Sequence, residues 1–345
     1  MNRRNLLSVH RWVAMMFAPF LALQAITGAL LLFHEPLAHL LHPAATLRSP
    51  TGVAAPVSQL VTSAERRFPN YALTRIFLPA ASDSTAFAWL ESRAGDTKYA
   101  ALDPGTGKVL AAGGLWRFPM EAVLQLHFQL MAPAFGMWVI AANGIALLVL
   151  GSTGVLNWWP GQKRLAGSLK IRKGLPSHLM LRQYHRTSGA IGSLVLLFSA
   201  ITGLTIAIAN LPGGVGPVYD APVSNRLKSS AIDGAVALAQ AQFPGAVLRD
   251  IRFRPDGRMD VNLFAPERNS RAVHVASVSA TEQRVLRSVP AADNDAIWIP
   301  LLPLHAGDSF GLAGRLVLLA GAAIILFLSV SGPLAWWRGR RPRKR

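Results

Sequence analysis

Four histidines stand where an imidazole could ligate a metal, and they fall into two matched pairs. His10 and His185 are each followed by an arginine, Arg11 and Arg186. His127 and His305 each stand a little before a long uncharged run. A polar ring beside segments of bilayer length is costly and is kept there for a reason. Matched imidazoles from facing helices are one way to hold haem in a helical bundle. They also suit zinc or copper, and spacing alone does not choose between these. The arginines favour haem, because guanidinium meets a carboxylate such as a propionate in a two-pronged fork. Arg315, a few turns after His305, stands near the start of an apolar run and fits the same use. A single interfacial histidine is more often a polar residue reaching for water than a ligand. Four at matched places, two with adjacent arginines, turn the balance toward ligation.

The elements that must position these residues are written twice. Thr27-Gly28 and Phe68-Pro69 recur as Thr202-Gly203 and Phe243-Pro244, displaced by the same interval that separates His10 from His185. Gly154 and Trp158-Trp159 recur as Gly332 and Trp336-Trp337, displaced by the interval between His127 and His305. Four charge-free stretches, Trp12 to Phe33, Met131 to Trp159, Thr187 to Asn210 and Leu316 to Trp337, each exceed or match the roughly 20 residues a bilayer needs. The fold class expected is therefore a membrane α-helical protein of four transmembrane helices from an internal duplication, with two small α+β domains outside the bilayer. Residues 1–34 hold the first spanning helix and 45–115 the first small domain. Residues 121–160 hold a short outer helix and the second span, with Pro133 and Gly136 offering a break between them. Residues 161–186 form a basic cytoplasmic loop, 187–210 the third span and 220–292 the second small domain. Residues 296–337 hold an outer segment and the fourth span, and 338–345 form a basic tail. In each small domain one helix precedes four short strands. Asp233 is placed to cap the second of those helices.

Charge sets the orientation. The net charge is +18, but sixteen of the 35 basic residues lie in 1–11, 161–186 and 338–345, which hold none of the seventeen acidic ones. Basic residues in short loops beside spans mark the cytoplasmic side. Both termini and the middle loop are thus expected inside, and the small domains outside. The basic tail serves as an anchor against anionic membrane lipid, and the absence of a reading module argues against nucleic acid. No cysteine is present, which removes thiolate sites and covalently attached haem. The first apolar run is too long for a signal peptide and reads as a retained helix. No glycine-rich dinucleotide fingerprint follows a predicted strand, so an electron donor would have to be external.

The remaining histidines carry less. His34 follows the first span, with alanine at the matching place, and reads as an interfacial residue with ligation the lesser alternative. His39 and His42 read as surface residues, and His178 and His274 receive no role. Thr27-Gly28, Thr202-Gly203 and Gly154 read as close-packing positions between helices, with room for a macrocycle the lesser reading.

The runs HRWVAMMFAPFLALQAITGALLLF and LHFQL…STGVLNWW, repeated as HRTSGAIGSLVLLFSAITGL and LHAGDSFGLAGRL…SGPLAWWRGRR, resemble the PepSY-associated transmembrane (PepSY-TM) family over nearly the whole chain. The resemblance implies a bacterial inner-membrane protein with periplasmic PepSY domains. Some members are similar to ferric-siderophore reductases, which carry two b-type haems and pass electrons outward. It implies His10, His185, His127 and His305 as axial ligands of haem iron. It also implies a ferric-siderophore substrate, and the external donor expected with it is a cytoplasmic reductase or a quinol. Two other readings stand beside this one. One is a non-enzymatic accessory protein whose PepSY domains bind a periplasmic peptide or protease. The other is a metal or siderophore transporter built on parallel repeats, which the lack of acidic residues in the spans disfavours.

Overall fold

The computed structural model describes residues 2–45, 54–79, 85–211 and 227–340. In chain order the helices are α1 (Arg3–Leu31), α2 (His34–Leu41), α3 (Val57–Arg67), α4 (Pro119–Gln129), α5 (Pro133–Trp158), α6 (Leu165–Ser168), α7 (Ser177–Ala209), α8 (Ser229–Gln242), α9 (Trp298–His305) and α10 (Gly311–Arg340). The strands are β1 (Tyr71–Phe77), β2 (Ala86–Ser92), β3 (Thr97–Leu102), β4 (Val109–Gly113), β5 (Leu248–Phe253), β6 (Arg258–Phe264), β7 (Val273–Ser279) and β8 (Arg284–Val289). The chain divides into two units, 1–33 with 123–216 and 304–345, and 34–122 with 217–303.

The first unit is a bundle of α1, α5, α7 and α10, all long and apolar enough to cross a membrane. Each packs on two others, in the cycle α1, α5, α7, α10 and back to α1. Their apolar residues run all round, so the pattern suits lipid rather than water. Two of the helices begin well before their uncharged stretches. α1 starts at Arg3, where the Asn2 side chain accepts from the Arg4 backbone N–H at 3.2 Å, and α7 starts after Pro176. Charge bars a segment from hydrocarbon but does not stop a helix, and no glycine or proline interrupts either start. His10 and His185 therefore lie two turns inside their helices and not at the ends.

Between α4 and α5 the helix breaks. Leu130 and Met131 take positive φ, 50° and 57°, and Pro133 opens α5 in its first turn. The α4 end folds back so tightly that a Cβ on Gly136 would collide with the Gln129 carbonyl oxygen. The same closure recurs at the matching place in the second half. There a Cβ on Gly314 would meet the Gly307 carbonyl at 2.5 Å, and Gly307 itself has φ 77°. Glycine is required at all three places.

In the second unit the strands of the two small α+β regions meet. All eight strands form one antiparallel sheet in the order β4-β3-β2-β1-β5-β6-β7-β8. Two four-stranded meanders meet at their edges, where β1 pairs with β5. The central partners of that junction are Ile76 and Ile251, equivalent positions of the two halves and both fully buried. A four-stranded meander leaves an edge of unpaired backbone groups, and pairing edge to edge removes the exposure. α3 and α8 lie side by side. They present matching i, i+3, i+4, i+7 stripes, Val57, Leu60, Val61 and Ala64 on one, and Ile232, Ala235, Val236 and Ala239 on the other. Both stripes join the sheet residues Ile76 and Ile251 in one core.

Asp233 is not the cap of its own helix, which already begins at Ser229. Its carboxylate accepts from the Ser58 backbone N–H at 3.0 Å and from the Ser58 hydroxyl at 2.5 Å. It thus satisfies the first turn of α3, the neighbouring helix. An acidic residue one turn into a helix can serve a second helix that packs alongside, which a local reading cannot see.

Candidate functional site

His10 on α1 and His185 on α7 face one another. Their ring centroids are 6.4 Å apart and their planes nearly perpendicular, at 88°. Each ring is fixed by a hydroxyl on the next helix of the bundle. Nδ1 of His10 is 2.9 Å from Oγ1 of Thr153 on α5, and Nδ1 of His185 is 2.9 Å from Oγ of Ser331 on α10.

The second pair repeats the contact between Nδ1 and a hydroxyl. His127 on α4 has Nδ1 2.9 Å from Oγ1 of Thr27 on α1, and His305 on α9 has Nδ1 3.0 Å from Oγ1 of Thr202 on α7. Gln24 of α1 also donates to the His127 carbonyl at 3.0 Å, which ties α4 to the bundle by its backbone. Burial first, and then the neighbouring His305, hold the His127 imidazole down at about 4, and burial holds His305 there too. Both rings are neutral at ordinary pH, as a ligand must be.

A glycine follows each hydroxyl residue, and each imidazole lies over that glycine. A Cβ on Gly28 would come 3.1 Å from Cε1 of His127, and one on Gly203 2.8 Å from Cε1 of His305. The corresponding distances are 3.6 Å from Gly154 to His10 and 3.0 Å from Gly332 to His185. The small residues thus make room for a histidine ring, a role the packing reading missed. The dipeptides Thr27-Gly28, Thr153-Gly154, Thr202-Gly203 and Ser331-Gly332 are a signal present in the chain, repeated at the same intervals as the histidines.

The hydroxyls also decide which ring nitrogen is free. Thr27 donates to the Leu23 carbonyl at 2.8 Å, Thr153 to Val149 at 2.6 Å and Thr202 to Phe198 at 2.9 Å. A carbonyl can only accept, so each of these hydroxyls has spent its proton and must accept from Nδ1–H. Nε2 then carries no proton and presents its lone pair.

The donor set fits haem better than a bare ion. Among the described residues no group of three or more His, Asp or Glu could hold a metal. A zinc site takes three or four protein ligands, whereas a haem brings four nitrogens of its own and asks the protein for two.

A family model described as the PepSY-associated TM region matches residues 7–339. This chain belongs to that family. It is a PepSY-associated membrane protein, with four helices long and apolar enough to cross a membrane and an eight-stranded antiparallel sheet. No curated protein matches the chain.

Arg11 is exposed on α1, and exposed Arg186 donates to the Ser168 carbonyl at 3.0 Å. Arg315 forms a fork onto Asp308, with Nη2 at 2.9 Å and Nε at 3.2 Å, so a carboxylate already meets it. His34 belongs to the sheet unit. Burial, against the pull of Glu35 and with Arg271 nearby, lowers its imidazole below the ordinary value. His42 is not a plain surface residue: it stacks on Phe118 at 5.8 Å and accepts from the Ala45 N–H. His274 stacks on Phe243 at 4.5 Å and accepts from the Ala291 N–H at 3.0 Å, a structural use. The basic tail lies outside the described residues from 341 onward.

Proposed function

We propose that this chain is a bacterial inner-membrane protein, built by duplication, that holds two b-type haems. In this reading it passes electrons from the cytoplasmic side to a periplasmic ferric-siderophore and releases Fe(II). His10 and His185 hold one haem and His127 and His305 the other, each through Nε2. The observation that carries the reading is the fourfold recurrence of one device: an imidazole seated on a glycine, with Nδ1 on the adjacent hydroxyl and Nε2 left over. Haem supplies the one-electron couple that none of these side chains has.

The polypeptide does the rest. The helical stretch from His10 to Thr27 measures about 25 Å at 1.5 Å per residue. That is most of the roughly 30 Å hydrocarbon thickness, so the two sites stand near opposite membrane faces. Arg11 and Arg186 lie next to the inner ligands and give propionates a cationic partner, and Arg315, oriented by Asp308, does so for the outer pair. The sixteen basic residues of 1–11, 161–186 and 338–345 support a cytoplasmic side for both termini and that loop, and a periplasmic side for the PepSY sheet. A cytoplasmic reductase or a quinol provides the electron. At the outer side one electron converts chelated Fe(III) to Fe(II), which the hard oxygens of a siderophore hold weakly.

The test is a reoxidation experiment. Purified full-length protein is reduced under anaerobic conditions and mixed with a ferric trihydroxamate, and the reduced haem bands are followed beside a ferrous-specific chelator. Bands that bleach in step with Fe(II) release are the expected result. Bleaching no faster than with the iron-free siderophore overturns the reductase reading and favours a non-enzymatic PepSY accessory protein.

A further inference from the structure

We propose that Thr27, Thr153 and Thr202 are positioning residues that fix the imidazole tautomers of His127, His10 and His305 and raise their basicity, so that each site prefers the ferric state. The inference rests on the haem reading. It adds residues that touch neither metal nor substrate and assigns them an electronic effect.

A neutral imidazole has two tautomers. Only the one protonated at Nδ1 has a lone pair at Nε2 to give. In a flexible site both forms are populated, and the wrong one must be converted before ligation. Here the hydroxyls of Thr27, Thr153 and Thr202 sit 2.9–3.0 Å from Nδ1 with their own protons committed to carbonyls one turn back. They can only accept, so they select the Nδ1–H form. An accepted Nδ1–H bond also draws the proton away from the ring and leaves Nε2 richer in electron density. A more basic ligand stabilises ferric over ferrous iron, and outer partners of this kind typically change metal affinity about 10–100-fold.

Ser331 differs. Among the described residues its hydroxyl has one hydrogen bond, to His185 at 2.9 Å, and no carbonyl takes its proton. It can therefore donate as well as accept, and His185 is the ligand whose tautomer is least firmly set. The glycines complete the device. A Cβ at Gly203 or Gly332 would come within 2.8 or 3.0 Å of the ring, so the imidazole reaches its hydroxyl only because the next residue has no side chain. A purely space-filling role would need small residues but no hydroxyl.

The experiment separates those roles. Thr27→Val with Thr202→Val keeps the shape and removes the acceptor, while Thr27→Ser with Thr202→Ser keeps the acceptor. Both are made in the full-length chain and purified with haem. Two quantities are read: the midpoint potential by spectroelectrochemical titration, and the rate of haem transfer to an apo-haemoprotein trap. The valine pair is expected to lose about tenfold of its ferric preference at one haem, which is about 59 mV upward for one electron. It should also lose that haem about tenfold faster. The serine pair should match the unsubstituted chain on both. If the double valine chain does not accumulate, Thr202→Val alone is read in the same way. Valine variants with unchanged potential and unchanged haem retention overturn this inference and leave the haem reading standing. A purified unsubstituted chain that binds no haem takes down both.

Discussion

Replacing His127 and His305 together by alanine is expected to remove one of two haems and leave the other spectroscopically intact. The two pairs share no ligand. His127 leans on Thr27 and Gly28, and His305 on Thr202 and Gly203, whereas His10 and His185 use Thr153 and Ser331. Alanine also spares what holds α4 in place, since Gln24 donates to the backbone carbonyl of residue 127 and not to its ring. The complementary His10→Ala, His185→Ala chain should keep only the outer haem, and the fourfold variant none. Pyridine haemochrome content per chain, read beside the reduced α-band, checks all three. A His127→Ala, His305→Ala chain that still carries two haems would remove the outer assignment, and His34 would be the next residue to change.

The largest effect on stability is expected at the sheet junction. Asp250 is fully buried, and its Oδ1 takes Arg75 Nη2 at 2.8 Å, Arg75 Nε at 2.9 Å and Asn262 Nδ2 at 3.0 Å. Arg252 and Arg249 stand further off, at 3.7 and 4.0 Å. One carboxylate thus answers several guanidinium groups at the seam between the two meanders. Asp250→Ala leaves those charges without it, and breaking a buried pair from one side costs about 3–5 kcal/mol. For a unit of this size that lowers the unfolding midpoint by about 10 °C. Asp96→Ala, which breaks the exposed pair with Lys98, should leave the midpoint unmoved within error. Differential scanning of the detergent-solubilised full chain measures both. Equal midpoints for Asp250→Ala and Asp96→Ala would show that the seam does not depend on its carboxylate.

The parts of this fold that depend on solvent are legible in the chain. Lipid imposes length and freedom from charge, and the runs ending at Phe33, Trp159, Asn210 and Trp337 meet both demands. The parts that depend on contacts far apart in sequence are not. Nothing local to Tyr71–Phe77 or Leu248–Phe253 says that two edge strands will pair through Ile76 and Ile251. Asp233 looks like a cap for the helix it stands in, because the helix it serves lies in the other half of the chain. Helix starts escape for a different reason. Charge marks where a span can enter lipid, and α1 and α7 run two turns or more past that point.

The candidate site divides the same way. The four histidines are legible as matched positions, since an offset in sequence survives without any structure. Their hydroxyl partners stand at the same offsets, but Thr27 and Thr202 read as packing, and Thr153 and Ser331 give no local signal. A threonine before a glycine in an apolar helix serves close packing and ring seating equally well on paper. Only the placement of Nδ1 against Oγ1 separates the two. Arg315 is legible as a charge needing a partner, and Asp308, two turns back, supplies one.

The haem content of the purified, unsubstituted chain bears on all of this most directly. The protein is isolated from haem-sufficient cells in mild detergent, and haem is counted against protein by amino-acid analysis. Two b-type haems per chain, extractable by acid acetone because no cysteine tethers them, is the predicted result. A colourless chain, or one that holds a bare metal ion in place of haem, would contradict it.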